Sequence, residues 1–252
     1  MLNKQGPGKI DWTDWTWNPI SGCKHGCPYC YMHRMEKRFP GIMEPAYKPG
    51  YIEKFKSVRK VKAGDKIFVG SSGDMWGNWV PDEWIGNVLD LTDSHKDKIF
   101  QFLTKNPVMY GDFRIDGMSN CWFGTSEDGT WKTLGNHKLL VDKIPKELIK
   151  FVSFEPLIEN PKISSKFYEL NWIIIGADSN RGAKKAPKEW ADFLIREARE
   201  ENIPVWVKDN YGYPEVIKEF PDSIKEEIEH HEKTHRYVAT IRDAQKNQRN
   251  VI

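Results

Sequence analysis

Short apolar runs recur along the chain, and small, polar or charged residues follow each of them. Six runs are rich in β-branched and aromatic residues; they are KIFVGSS, KIFQFLTKNP, NCWFGTSED, KFVSFEP, NWIIIGADSN and IPVWVKD, starting at Lys66, Lys98, Asn120, Lys150, Asn171 and Ile203. Apolar runs of this length are typical of strands buried on both faces. With a short strand before Cys23, about seven strands are expected.

Two segments between these runs have helical spacing. Residues 81–94 and 187–201 each open with proline, which suits a first helical turn. Their large apolar residues recur every three or four positions, at Trp84, Val88 and Leu91 in the first and at Trp190, Phe193, Leu194 and Ala198 in the second. The alternation of strand and helix predicts an α/β fold with a parallel sheet.

A partial (β/α)6-8 TIM-like barrel is the architecture that this pattern favours. No GxGxxG follows the first strand, and polar residues recur after nearly every strand. In a barrel the carboxyl ends of the strands meet on one face and form the active site. Residues 1–213 are predicted to form the barrel domain, and the highly charged residues 214–252 a C-terminal helical extension. Three histidines of that extension are interpreted as part of a solvated helix rather than a metal site; they are His230, His231 and His235.

Composition narrows the class of protein. Hydrophobic residues make up 39% and charged residues 29% of the 252, as in soluble globular domains. No apolar run approaches the roughly 18 residues that cross a bilayer, and the N-terminus lacks the apolar core of a signal peptide. We therefore expect a cytoplasmic protein with no membrane partner. In that reducing compartment, four cysteines indicate metal or redox chemistry rather than disulfides.

Positive charge is concentrated near the N-terminus. Residues 1–62 hold 12 Lys and Arg against 5 Asp and Glu. Such a segment can attract an anionic substrate, nucleic acid included, although a solvated basic face explains it equally well. Trp12, Trp15 and Trp17 lie in the same segment. They either stack on bases or close the barrel core, and burial tendencies favour the core.

Three cysteines lie in the segment SGCKHGCPYC, and Tyr29 precedes the third. They are Cys23, Cys27 and Cys30, spaced C-x3-C-x2-C. Thiolates in such groups hold iron–sulfur clusters or zinc. Three thiolates also leave one position of a tetrahedral site open, and an open position allows chemistry.

Zinc is the main alternative to a cluster. His25 or Cys121 could supply a fourth ligand, but a histidine two residues from either cysteine makes a strained chelate. The spacing therefore favours an iron–sulfur cluster. Cys121, which lies at the start of a predicted strand, is expected to be a small buried apolar residue.

The motif C-x3-C-x-aromatic-C resembles that of the radical S-adenosylmethionine (SAM) enzymes residue for residue. The resemblance implies that Cys23, Cys27 and Cys30 bind three irons of a [4Fe-4S] cluster, and that SAM binds the fourth iron with its adenine near the backbone of Tyr29. It further implies that one electron cleaves SAM to a 5′-deoxyadenosyl radical, which abstracts hydrogen from a substrate. A reductant such as flavodoxin or ferredoxin is the implied partner, and nucleic acid or a nucleotide is a candidate substrate.

The turn GSSGD follows the strand that comes next after the cysteines. In radical SAM proteins this position carries a small glycine-rich motif with an acid. The resemblance therefore implies that Gly70, Ser71, Ser72 and Asp74 receive the amino group of SAM. An ordinary strand-to-helix turn, with Asp74 near a helix start, is the alternative.

Other strand ends carry further polar groups. Ser126 and Glu127 are plausible ribose contacts, since hydroxyls and carboxylates pair with diols. Lys105 or Lys208 could neutralise a carboxylate. Glu155 is expected to need a cationic or hydrogen-bonded partner. Together these residues predict a polar face at one end of the barrel.

A wider resemblance extends over residues 10–213. The blocks IDWTDWTWNPISGC, GCPYCY, FVGSSGD, FQFLTKNP, NCWFGTSEDG, VSFEPL, WIIIGADSN and IPVWVKD are similar, in order, to the phage Gp37/Gp68-like proteins (DUF5131), a family of unknown function with a three-cysteine motif. That resemblance implies the fold and the cofactor but no reaction. A non-catalytic binding module or phage adaptor with zinc or a structural cluster is the competing hypothesis.

Overall fold

Ten strands are present in the described part of the chain, which comprises residues 2–6, 8–56 and 60–221 of this computed structural model. They are β1 (Leu2–Lys4), β2 (Trp15–Trp17), β3 (Ile20–Ser21), β4 (Ala46–Tyr47), β5 (Lys66–Val69), β6 (Ile99–Thr104), β7 (Cys121–Ser126), β8 (Ile149–Phe154), β9 (Trp172–Ile175) and β10 (Val205–Val207). Eight of these form one sheet in the order β1-β2-β5-β6-β7-β8-β9-β10, and β3 pairs with β4. The six predicted runs coincide with β5 to β10.

Five α-helices are found in the same described ranges. They are α1 (Met32–Arg38), α2 (Pro49–Lys56), α3 (Asp82–Asp93), α4 (Asn136–Lys143) and α5 (Lys188–Glu200). Both predicted helices are confirmed, α3 directly after Pro81 and α5 directly after Pro187. None of the described helices has the length and apolar character that a membrane crossing requires.

The strands from β2 to β10 in the main sheet run parallel, and only β1 is antiparallel to its neighbour. The predicted α/β class and parallel sheet are therefore confirmed. Because parallel strands end at the same edge, the residues that follow β5 to β10 meet there. The loop that leaves β2 toward the cysteines also starts from this edge.

Alternate residues of each strand pack on opposite faces of the sheet. One face carries the larger core, which includes Val69, Phe100 and Phe102. The other face carries an aromatic cluster: Trp12, Phe68, Trp122, Phe151, Trp172 and Trp206. Trp12 is buried in that cluster, with its ring 4.7 Å from that of Phe68. Trp15 and Trp17 are buried in the larger core, so the core interpretation of the three N-terminal tryptophans is confirmed.

The first residues of the predicted extension continue the sheet. Val207 donates its backbone N–H to Ile217 at 2.9 Å, and Glu219 donates its own to Val205 at 3.0 Å. The segment thereby pairs with β10, while a division at residue 213 stays a prediction. Residues 222–252, with His230, His231 and His235, lie outside the described residues, as do 57–59 of the basic segment.

Candidate functional site

A cavity of about 260 Å³ opens at the carboxyl edge of the parallel strands. Cys23, Cys27 and Cys30 all line it. The remaining wall includes polar residues and glycines from the ends of five strands: Gly70, Ser71, Asp74, Thr104, Lys105, Ser126, Glu155, Asp178 and Ser179. The fold therefore brings the cysteine motif and most of the predicted polar face to one place.

Three of the predicted polar residues are absent from this wall: Ser72, Glu127 and Lys208. Ser72 is not part of the cavity wall, and its backbone N–H donates to Asn18 Oδ1 at 3.0 Å. Glu127 is buried and is also absent from the wall; its carboxylate accepts the backbone N–H and Nδ1–H of His137, each at 2.7 Å. His137 lies in the first turn of α4, so Glu127 accepts from a buried backbone N–H that has no partner within the helix. The ribose contact expected of Glu127 stays a prediction, since its carboxylate bonds His137 in this structure.

The cysteine loop starts in direct backbone contact with the GSSGD turn. Gly22 and Gly73 form a parallel bridge, and Asp74 donates its N–H to the Gly22 carbonyl at 3.1 Å. A Cβ at Gly73 would lie 2.5 Å from the Gly22 oxygen. Gly22 has a φ of +89°, in the left-handed region that favours glycine. Glycine at both positions is what allows this contact.

Tyr29 is held at both its hydroxyl and its carbonyl. The hydroxyl donates to Asp128 Oδ2 at 2.5 Å, and the carbonyl accepts from Asn180 Nδ2 at 2.7 Å. Burial and the bond to Asp128 raise the pKa of Tyr29 well above its usual range. Burial alone would raise the pKa of Asp128, but hydrogen bonds from Thr130, Thr133 and Tyr29 outweigh it and lower that pKa. Sequence reasoning missed Asp128 and Asn180, although both follow predicted strands in polar segments.

Asp74 is a buried hydrogen-bonding centre rather than an open acid. Its Oδ2 accepts from Thr104 at 2.8 Å and from the N–H of Lys105 at 3.0 Å, and lies 2.7 Å from His25 Nε2. Its Oδ1 accepts from the N–H of Trp76 at 3.0 Å. His25 Nε2 is thus engaged with Asp74, so zinc ligation through that atom would break the pair.

All three thiols are free, and the surroundings of Cys23 and Cys27 disfavour the anion. Burial raises the pKa of Cys23 to about 12, against a backbone hydrogen bond from His25 that lowers it. Burial also raises the pKa of Cys27, against Lys105 and Tyr29, which lower it. A bound cationic centre would offset this cost, because metals stabilise the thiolate.

Across the described ranges, no group of three or more His, Cys, Asp or Glu side chains is placed as a metal site requires. Which metal group Cys23, Cys27 and Cys30 would hold therefore stays a prediction. Cys121 is fully buried in β7, outside the cavity, as expected.

Lys105 supplies an unpaired cation at the cavity wall. Its Nζ is buried and has no hydrogen-bond partner within the part of the chain that the structure describes. It lies 5.5 Å from the centre of the Tyr29 ring. A buried ammonium without a partner is costly, so this position suits an anionic ligand. Glu155 forms an ion pair with Lys208, which is the partner expected from its position.

The profile of a family described as "protein of unknown function (DUF5131)" matches residues 7–246. The chain belongs to the DUF5131 family. The expected link to DUF5131 is thereby confirmed, whereas the phage Gp37/Gp68 naming finds no support. No curated protein matches this DUF5131 chain.

Solved structures of spore photoproduct lyase share the fold of the DUF5131 chain. A mutant with bound AdoMet, which is SAM, and dinucleoside spore photoproduct is 10% identical with a TM-score of 0.50. The enzyme complexed with dinucleoside spore photoproduct is 11% identical with a TM-score of 0.52. Each alignment covers 82% of this chain and 78% of the other. At this identity the likeness establishes the fold alone, and the predicted α/β partial barrel is confirmed.

Proposed function

We propose that this DUF5131 protein is a radical SAM enzyme. Cys23, Cys27 and Cys30 would hold a [4Fe-4S] cluster, and SAM would bind beside it. The observation that carries the proposal is that all three thiols and several strand-end polar groups line one cavity. The fold that this chain shares with an AdoMet-bound lyase supports it.

The cavity wall offers groups for each part of SAM. The turn of Gly70, Ser71 and Asp74 would lie beside the amino group, and the Ser126 hydroxyl beside the ribose. The buried Lys105 ammonium would pair with the carboxylate, since charge-assisted hydrogen bonds are strong. When bound and reduced by a flavodoxin- or ferredoxin-like donor, the cluster and SAM supply hydrogen-atom abstraction from a substrate.

The chain's own contribution is to position the cysteine loop. Contacts from Asp74 to His25, from Asp128 to Tyr29 and from Asn180 to Tyr29 attach that loop to three strand ends. A loop attached at several points keeps its thiols in place before the cluster binds, which lowers the entropy cost of assembly.

The substrate class is proposed from the fold neighbours. Spore photoproduct lyase is described with a dinucleoside lesion bound. A nucleic acid or nucleotide is therefore the first substrate to test for this chain. A phage adaptor or a zinc module without chemistry is the competing function.

Anaerobic purification of the full chain tests the proposal. We expect about four irons per chain with matching sulfide, absorption at about 400 nm and a spectral change on adding SAM. Cys27→Ala should lose most of the iron, whereas Cys121→Ala, which removes a thiol outside the cavity, should keep it.

Three other outcomes would reject the enzyme. One zinc per chain and no colour would indicate a zinc module. A brown protein whose absorption spectrum does not change on adding SAM would indicate a structural cluster. Equal iron in Cys27→Ala and wild type would remove the cysteine motif from the site.

A further inference from the structure

A second cavity, of about 330 Å³, adjoins the first. His25, Cys27, Tyr29 and Lys105 line both cavities, so the cysteine loop separates the two spaces. The outer wall comes from residues 128–133, which follow β7. A volume of this size lies at the lower end of the range for small-ligand pockets, about 300–1,000 Å³.

Trp131 lies on this outer wall with 80% of its surface exposed. The other ten tryptophans of the chain are buried or half-buried. Lys132 is exposed beside it and lines the same cavity. An exposed indole next to a cation can stack a base and contact its phosphate.

A third cavity, of about 190 Å³, continues the same surface. It shares Ile158 with the second cavity and Asp178 with the first. Two exposed cations line it, Lys184 and Lys185. Residues 128–133 and 181–187 together form what we call the strand-end rim.

Positive charge on the strand-end rim exceeds the negative charge around it. In the described ranges, Lys132, Lys184 and Lys185 form no ion pair. Two nearby carboxylates accept hydrogen bonds from neutral donors: Asp128 accepts from Thr130, Thr133 and Tyr29, and Asp178 accepts from Asn180.

Glu159 is the exception, an exposed carboxylate on the second cavity. Against it stand the three rim lysines and the buried Lys105 ammonium at the inner wall. With the carboxylates of Asp128 and Asp178 counted, four ammonium groups face three carboxylates, so the balance favours an anionic ligand.

We propose that the strand-end rim binds single-stranded nucleic acid. One base stacks on Trp131, and the backbone phosphates contact Lys132, Lys184 and Lys185. The cations line two connected cavities. This arrangement suits a nucleic-acid strand, because a free mononucleotide would occupy only one of the two cavities. Single-stranded nucleic acid would be the substrate class of the proposed radical SAM enzyme, and this role rests on that proposed function. Strand binding itself can be measured without any catalysis.

Fluorescence anisotropy with a labelled single-stranded 16-mer tests the rim, using anaerobically purified full chain without SAM or reductant. Trp131→Ala should weaken binding by between about 5-fold and about 150-fold, and Trp131→Phe should restore most of it. The double variant Lys184→Ala/Lys185→Ala should reduce the slope of log affinity against log salt by about 1.4, since each phosphate contact on a single strand contributes about 0.7.

The matched control is Lys62→Ala/Lys146→Ala. These lysines are exposed and precede β5 and β8, at the opposite edge of the sheet. Their replacement should leave affinity and salt slope close to wild type. An equal loss in this control would show a diffuse charge effect and overturn the proposal.

Three further results would also overturn it. They are wild-type affinity in Trp131→Ala, equal binding of duplex and single strand, and competition by AMP at the same nucleotide concentration as the oligonucleotide. The Cys27→Ala variant separates the two proposals. If Cys27→Ala lacks iron but still binds the strand, strand binding by the rim is supported independently of the cluster. If the wild-type protein holds iron but does not bind the strand, the rim proposal alone is rejected.

Discussion

The Tyr29 hydroxyl donates a 2.5 Å hydrogen bond to Asp128 Oδ2 across 99 residues of sequence. The bond joins the cysteine loop to the segment that follows β7. Since Asn180, after β9, holds the carbonyl of the same tyrosine, two strand ends position the residue between Cys27 and Cys30. The loop conformation therefore depends on the assembled barrel.

Tyr29→Phe removes the hydroxyl and leaves Asp128 with one donor fewer. A hydrogen bond to a charged group contributes about 1.5–3 kcal/mol, so the free energy of unfolding should fall by about that amount. Urea denaturation of the cluster-free protein measures this. The control is Tyr168→Phe, whose hydroxyl bonds Glu197 at an exposed site. Equal losses in both variants would contradict a special role for Tyr29.

Gly73→Ala should disrupt the start of the cysteine loop. The new Cβ would lie 2.5 Å from the Gly22 oxygen and 2.8 Å from its nitrogen, and both are backbone atoms that cannot rotate away. Overpacking of this kind costs about 1–3 kcal/mol, so we expect a lower melting temperature and less bound iron.

Gly86→Ala is the matched control for that substitution. Gly86 lies inside α3 with open space around its Cβ position. Alanine there should stabilise the protein by up to about 1 kcal/mol, because glycine is a poor helix former. If Gly73→Ala proved as stable as Gly86→Ala, the close contact with Gly22 would be wrong.

Acid should remove part of the stability that Asp128 provides. Hydrogen bonds lower the pKa of Asp128 in the folded protein despite its burial. A carboxyl group with a depressed folded pKa stabilises the fold above its unfolded pKa, about 3.9, and loses that contribution as the pH falls through the folded value. The stability gap between wild type and Asp128→Asn should therefore narrow below about pH 4. Urea midpoints measured from neutral to acid pH check this, and a constant gap would refute it.

Alkylation should separate the cysteines by environment. Burial raises the pKa of Cys121 to about 12, and its side chain is fully buried. Iodoacetamide, which reacts with thiolates, should leave Cys121 unmodified until the protein unfolds. The half-buried Cys23, Cys27 and Cys30 should react in cluster-free protein, with Cys23 reacting slowly because burial raises its pKa to about 12 as well. All three should be protected after anaerobic reconstitution. Peptide mass spectrometry reads each site, with a denatured sample as the control; modification of Cys121 in the native protein would contradict its placement.

The strands and the two long helices could be predicted because their signals are local. Runs such as NWIIIG are apolar at every position, and only a strand covered on both faces buries all of them. In α5, Leu194 and Ala198 recur at helical spacing and are fully buried. The edge strand β1 and the β3–β4 pair were missed, since two or three residues carry too little periodicity to detect.

Some residues of the candidate site could likewise be predicted from local signals, and others could not. Spacing alone singled out Cys23, Cys27 and Cys30, and the position after each strand singled out Asp74 and Ser126. Ser72 and Glu127 occupy equivalent positions, yet their side chains do not line the cavity. Adjacent residues at the end of a strand point to opposite sides. Which of the two faces the cavity depends on the neighbouring residues that each side chain contacts.

The sequence by itself determined the α/β class, the order of the main strands and the three-cysteine motif, because these follow from composition and short-range spacing. Tertiary structure decided which polar groups surround the thiols, that Asp128 and Asn180 hold Tyr29, and that Trp131 and three lysines share one rim. Those contacts join residues up to 151 positions apart. They form only when the strand ends converge, and no local pattern in the chain encodes which loops meet there.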